Sequence, residues 1–157
     1  MPELAGTRPA PDLRVAIVVA RFNDFVTDRL LRGARAGLAA AGVPDAQVTV
    51  LRVPGAFEVP VAARRAADTR RFDAVVCLGC LIKGATPHFE YIASACAHGI
   101  AEAASATGVP MTFGVLTTYS AEEALERAAD GPANKGYEAA LAAVEMATLL
   151  RQLDART

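Results

Sequence analysis

Apolar residues run almost unbroken over positions 13–20, as LRVAIVVA. A run this short and this apolar predicts a strand buried on both faces. From position 25 the period changes. Phe25, Val26, Leu30, Leu31, Ala34, Leu38 and Ala41 recur at three- and four-residue steps, which predicts a helix with one apolar face. Asn23 or Asp24 stands where its N-cap belongs, and Gly42 and Pro44 stop it. The alternation then continues. Further strands are predicted over residues 47–53, 73–82 and 111–117. Helices are predicted over residues 56–69, 87–107, 121–129 and 133–153. Glu58 falls in the first turn of the helix over 56–69, Gly108 and Pro110 end the one over 87–107, and Ser120 caps the one over 121–129. No Asn-Gly type signal joins two strands. The pattern predicts right-handed crossovers and a parallel sheet covered by helices, an α/β fold.

Length adds that 157 residues suit a single domain with a real core. That domain is expected over residues 13–157, behind a flexible or interface-pairing tail at residues 1–12. Hydrophobic residues make up 53 % of the chain, slightly more than is usual for a globular protein. The excess fits subunit contacts as well as a core. Alanines at 93–106 and 139–147 allow close helix approach, for core packing or for a subunit contact. The net charge of −1 argues against a nucleic-acid partner, which needs a basic face. No apolar run approaches the ~18 residues of a membrane span. The first twelve residues hold three prolines and no apolar segment, unlike a signal peptide, so a cytoplasmic location is expected. Cys77 and Cys80 form a C-x-x-C inside a predicted strand, where residues three apart point to opposite faces. They are therefore read as small apolar residues rather than as a metal or redox pair.

Ligands of an open parallel sheet bind beyond the carboxyl ends of its strands. Those ends lead into Ala20-Arg21-Phe22-Asn23, Pro54-Gly55-Ala56-Phe57-Glu58, Lys83-Gly84-Ala85-Thr86-Pro87-His88 and Thr117-Thr118-Tyr119. Gly84-Ala85-Thr86 leaves a strand and opens a helix, so its free N–H groups can hold an anion. A plain turn with glycine at positive φ explains it equally. His88, in that helix's first turn, suits a general base or an exposed cap. His98 lies about 80° further around the helix, which rules out a metal pair, and is read as structural. Arg127 and Lys135 flank the loop at 128–134. Arg127 fits a bidentate phosphate contact or a solvated helix end. Phe22 can stack on a planar ring or fill a core. Glu58 can hold a ligand or simply favour its helix terminus. The residues alone therefore point to binding of a phosphorylated small molecule.

The same segments, in order, resemble the lumazine synthases of bacteria. The matches are Ala20 to Asn23, Val53 to Pro60, Leu78 to Phe89, Val109-Pro110, Phe113 to Thr117, Glu126 to Ala128, and Asn134 to Gly136. The resemblance implies a flavodoxin-like three-layer α/β/α sandwich with a four-stranded parallel sheet. It implies a homopentamer, able to pair into a decamer or close into a cage of twelve pentamers, with riboflavin synthase as a candidate partner. The implied reaction condenses 5-amino-6-(D-ribitylamino)uracil with 3,4-dihydroxy-2-butanone 4-phosphate in riboflavin biosynthesis, without cofactor or metal. By resemblance Phe22 stacks on the pyrimidine, and Ala56, Phe57 and Glu58 hold the ribityl chain. Cys80, Leu81 and Ile82 meet the uracil edge through backbone groups. Ala85 and Thr86 take the phosphate. Arg127, Phe113 and Lys135 arrive from the neighbouring subunit. His88 moves protons, oriented or charge-balanced by Glu138. Cys80 and Lys83 depart from the commonest residues, Thr and Arg, and the loop Asp130-Gly131-Pro132 differs in composition. A non-catalytic lumazine or flavin carrier, or a shell protein on the same scaffold, is the rival reading. Retention of His88 and Arg127 speaks against the carrier, which needs neither a proton shuttle nor a phosphate site, and a turnover assay with both substrates separates all three readings.

Overall fold

The computed structural model describes residues 1–155. Among them the strands are β1 (Val15–Ala20), β2 (Val48–Val53), β3 (Ala74–Ile82) and β4 (Met111–Thr118). The helices are α1 (Asp24–Ala40), α2 (Val59–Asp68), α3 (His88–Thr107), α4 (Ala121–Arg127) and α5 (Lys135–Asp154). The strands pair in the order β2-β1-β3-β4, all parallel.

Alternation along β1 and β3 divides the core. Val15, Ile17, Val19, Val76 and Leu78 face α1 and α5, whereas Ala16, Val18, Val75 and Cys77 face α2 and α3. The result is the expected flavodoxin-like α/β/α sandwich. Every residue of β1 is buried, as its unbroken apolar run requires. Each fully buried Val or Leu contributes about 1.5–3 kcal/mol of transfer free energy. Cys80 lies on the α1/α5 side and Cys77 on the other, so the C-x-x-C straddles the sheet as expected.

Helix ends follow local chemistry. α1 stops where Gly42 takes φ +79°, with its N–H on the Ala39 carbonyl at 3.0 Å. The helix expected from position 56 opens instead as a 3₁₀ turn, Ala56–Glu58, and becomes α-helical only at Val59. Pro60 explains the delay, because proline lacks an N–H and fits only a first helical turn. A second 3₁₀ turn, Asp45–Gln47, precedes β2.

α1 and α5 approach closely. A Cβ on Gly136 would overlap the Leu30 carbonyl oxygen, and one on Gly37 would come within 2.8 Å of the Tyr137 carbonyl. Residues of the tail lie along α5. The Thr7 N–H donates to Thr148 Oγ1 at 2.8 Å, and Asp12 pairs with Arg151 at 3.1 Å. No described helix is long and apolar enough to cross a membrane.

Candidate functional site

β1 ends at Ala20, but β3 runs on to Ile82. Their last paired residues are Val19 and Leu78, so no strand covers the β1 side of β3 beyond that point. The chain leaves β1 for β2 on one side and leaves β3 for β4 on the other. Such a switch point opens a crevice at the carboxyl ends of the strands. Here it is a cleft of about 830 Å³. Phe22 and Asn23 line it from β1, Pro54, Gly55, Ala56, Phe57 and Glu58 from β2, and Leu81, Ile82, Gly84 and Thr86 from β3. The first turns of α3 add His88, Phe89, Tyr91 and Ile92.

Local bonds explain why Phe22 points outward. Its N–H donates to the Pro54 carbonyl at 2.9 Å, after Arg21 donates to Val53 at 2.8 Å. Asn23 follows in the left-handed region at φ 63°. It occupies the N-cap position of α1 but makes no side-chain cap bond. Its Nδ2 donates instead to the Cys80 carbonyl at 2.8 Å. The loop is thus tied to both neighbouring strands, and the Phe22 ring is left 68 % exposed on the cleft.

Gly84 does not hold a positive φ, and a Cβ there would meet nothing within 4 Å. Neither a strained turn nor packing calls for glycine at this position. The space beside its backbone is free for a ligand.

Phe113, Arg127, Lys135 and Glu138 lie elsewhere. They line a second cleft of about 480 Å³, beside β4 and bounded by α4 and α5. β4 is one of the two edge strands of the sheet, so its outer backbone groups have no strand partner. Arg127 ends α4 and donates from Nη1 to the Glu123 carbonyl at 3.1 Å. Lys135 opens α5, with Nζ 3.0 Å from Glu138 Oε2. The two clefts share no lining residue. Glu138 therefore does not share a cleft with His88 within one chain.

Cys80 lines neither cleft with its side chain, which is buried on the α1/α5 face. Burial pushes its thiol up to about 11, so it is protonated near neutrality and no nucleophile. The Cys96 thiol is likewise raised to about 11 by burial. Ala85 is exposed between Gly84 and Thr86. His98 holds its Nδ1 2.9 Å from the Ser94 carbonyl of its own helix, which fits a structural role. Sequence reasoning placed Asn23 at a strand end but did not foresee its bond to Cys80, and it missed Tyr91 and Ile92 as cleft residues. The last two stand three and four residues after His88, the spacing that puts side chains on one helical face.

Residues 12–151 match the family of 6,7-dimethyl-8-ribityllumazine synthases. A protein of Syntrophus aciditrophicus (strain SB) named 6,7-dimethyl-8-ribityllumazine synthase is 51 % identical over 148 residues. The aligned stretch covers 94 % of this chain and 96 % of that protein. The chain belongs to the lumazine synthase family. In this lumazine synthase fold the motifs that carry the resemblance fall into two groups. Phe22, Phe57, Glu58 and His88 gather in the larger cleft, which contains no Lys or Arg among its lining residues. The cations Arg127 and Lys135 stand in the smaller one.

Proposed function

We propose that the two clefts are complementary halves of one active site, closed when the smaller cleft of one subunit covers the larger cleft of the next. The separation of anchors from cations carries this reading. A phosphorylated substrate in the larger cleft has backbone N–H groups near Gly84 and Thr86 but no cationic side chain lining its own cleft. Arg127 and Lys135 supply that charge from a neighbour.

As a family member the chain is a transferase of riboflavin biosynthesis. It condenses 5-amino-6-(D-ribitylamino)uracil with 3,4-dihydroxy-2-butanone 4-phosphate to give 6,7-dimethyl-8-ribityllumazine, releasing phosphate and water. Phe22 stacks on the pyrimidine. Ala56, Phe57 and Glu58 bind the ribityl chain, and the backbone of Cys80, Leu81 and Ile82 meets the uracil edge. Ala85 and Thr86 with Arg127 hold the phosphate. The ring amine attacks the ketone to form an imine, phosphate leaves, and the ring closes with loss of water. His88 stands in the first turn of α3, beside Thr86, where it can move protons. Phe113, Lys135 and Glu138 complete the site from the partner. Holding two reactive molecules together supplies most of the rate, and acid–base help adds about 10²–10⁴-fold.

The same division of residues calls for a homo-oligomer of head-to-tail contacts, which closes into a ring. A pentamer is the assembly proposed, within reach of a decamer or a cage. α3 supports it. The helix exposes Ala95, Ala97, Ala101 and Ala106 and carries only Glu90 and Glu102 as formal charges, a small-residue surface suited to close subunit approach. A cytoplasmic location, and riboflavin synthase as a partner, belong to the same proposal.

Arg127→Ala tests the shared phosphate site. Loss of one charge-assisted contact in a closed site costs roughly 2–5 kcal/mol. The KM for the phosphorylated ketone is expected to rise far more than that for the uracil. Equal rises for both substrates would remove Arg127 from the phosphate site.

A further inference from the structure

Asn134 is one of few buried polar side chains, 1 % exposed. Its carboxamide is fully used. Oδ1 accepts from the Gly136 N–H at 2.8 Å and the Tyr137 N–H at 3.1 Å, which caps α5. Nδ2 donates to the Ala128 carbonyl at 2.9 Å and to the Arg29 carbonyl at 3.3 Å. One amide with two donors and two acceptor sites thus joins three helices: the end of α4, the flank of α1 and the start of α5. The surroundings are cut to fit it. A Cβ on Gly33 would overlap the Asn134 carboxamide.

The position of this amide gives it a role beyond folding. Ala128 directly follows Arg127, and Asn134 directly precedes Lys135. Those are the two cations of the smaller cleft. Burial of Ala124 and Ala128 seats α4 on the core, while the amide sets the end of α4 against the start of α5. We propose that Asn134 is a positioning residue that fixes the spacing of Arg127 and Lys135, and so the affinity of the donated half-site for the phosphorylated substrate. The inference rests on the assignment of Arg127 to the phosphate.

Asp and Ser at this position keep a cap acceptor for α5 but lose the paired N–H donors. Asn134→Asp and Asn134→Ser are therefore expected to raise the KM for the phosphorylated ketone about tenfold or more, because a small misplacement of binding groups is costly. The KM for the uracil should move little. Ser, being uncharged and small, keeps the fold available if buried Asp does not. A structural role alone would lower thermal stability and the active fraction, and leave both KM values unchanged. The same assays on Arg127→Ala and on Arg127→Ala with Asn134→Ser separate the two ideas. If Arg127→Ala raises the ketone KM and the Asn134 variants do not, the positioning role is wrong and the phosphate assignment stands. If Arg127→Ala itself has no selective effect, the phosphate assignment fails. If the double variant shows the full product of the two single effects, the residues act independently and the positioning role is wrong.

Discussion

Phe22 holds most of its ring in water, an arrangement that hydrophobicity opposes and a stacked planar ligand reverses. The constraint that keeps it there is Asn23, whose left-handed backbone and bond to Cys80 replace the capping role read from sequence. His88 lies across the same cleft in the first turn of α3. His88→Ala is expected to lower kcat by roughly 10–10³-fold, since water can take over part of the proton traffic. The KM for the uracil should change little, because stacking and ribityl contacts remain. Wild-type kcat throughout the neutral pH range would take His88 out of the mechanism. Loss of uracil binding would make it a binding residue instead. His88, Phe22 and Glu58 were legible because their residue types stand at strand ends, where parallel sheets place ligands. The bond of Asn23 to Cys80 was not. The Asn23 side chain serves a carbonyl 57 positions away, and no local pattern encodes such a partner.

At the scale of elements, α1 packs closely against α5, the helix that supplies Lys135 and Glu138 to the smaller cleft. Gly136 lets α5 meet α1 at the Leu30 carbonyl. Gly136→Ala is expected to destabilise the fold by about 1–3 kcal/mol through overpacking, read as a lower melting temperature. An unchanged melting curve would show that the two helices can separate freely. Most elements were visible in the sequence, because β1 and β3 are continuous apolar runs and α1 has a clean three-to-four-residue period. The boundaries that differ have local causes. Pro60 postpones α2, and the Asn134 cap starts α5 at Lys135 rather than at the expected residue 133. The 3₁₀ turn at Ala56–Glu58 carries the residues proposed to bind the ribityl chain, and a period-based reading merges so short a turn with the helix behind it.

For the whole molecule, the parallel sheet and its single switch point follow from strand–helix alternation. The separation of the site into two clefts does not. Hydrophobic patterning reports which residues are buried, not which edge of the sheet a helix overhangs. Arg127 lies 39 residues beyond His88 in the chain, and only the strand order puts them in different clefts. The central claim is that each active site is built from two copies of this chain. Its most direct test mixes Phe22→Asp, which disables the larger cleft, with Arg127→Ala, which cripples the smaller one. Co-refolded at equal amounts, the two variants should form wild-type clefts on both sides of about one interface in four. Activity well above that of either parent, approaching that fraction of the wild-type rate, is the expected result. A mixture that forms mixed oligomers by mass but stays as inactive as its parents would place the whole site within one chain and contradict the account.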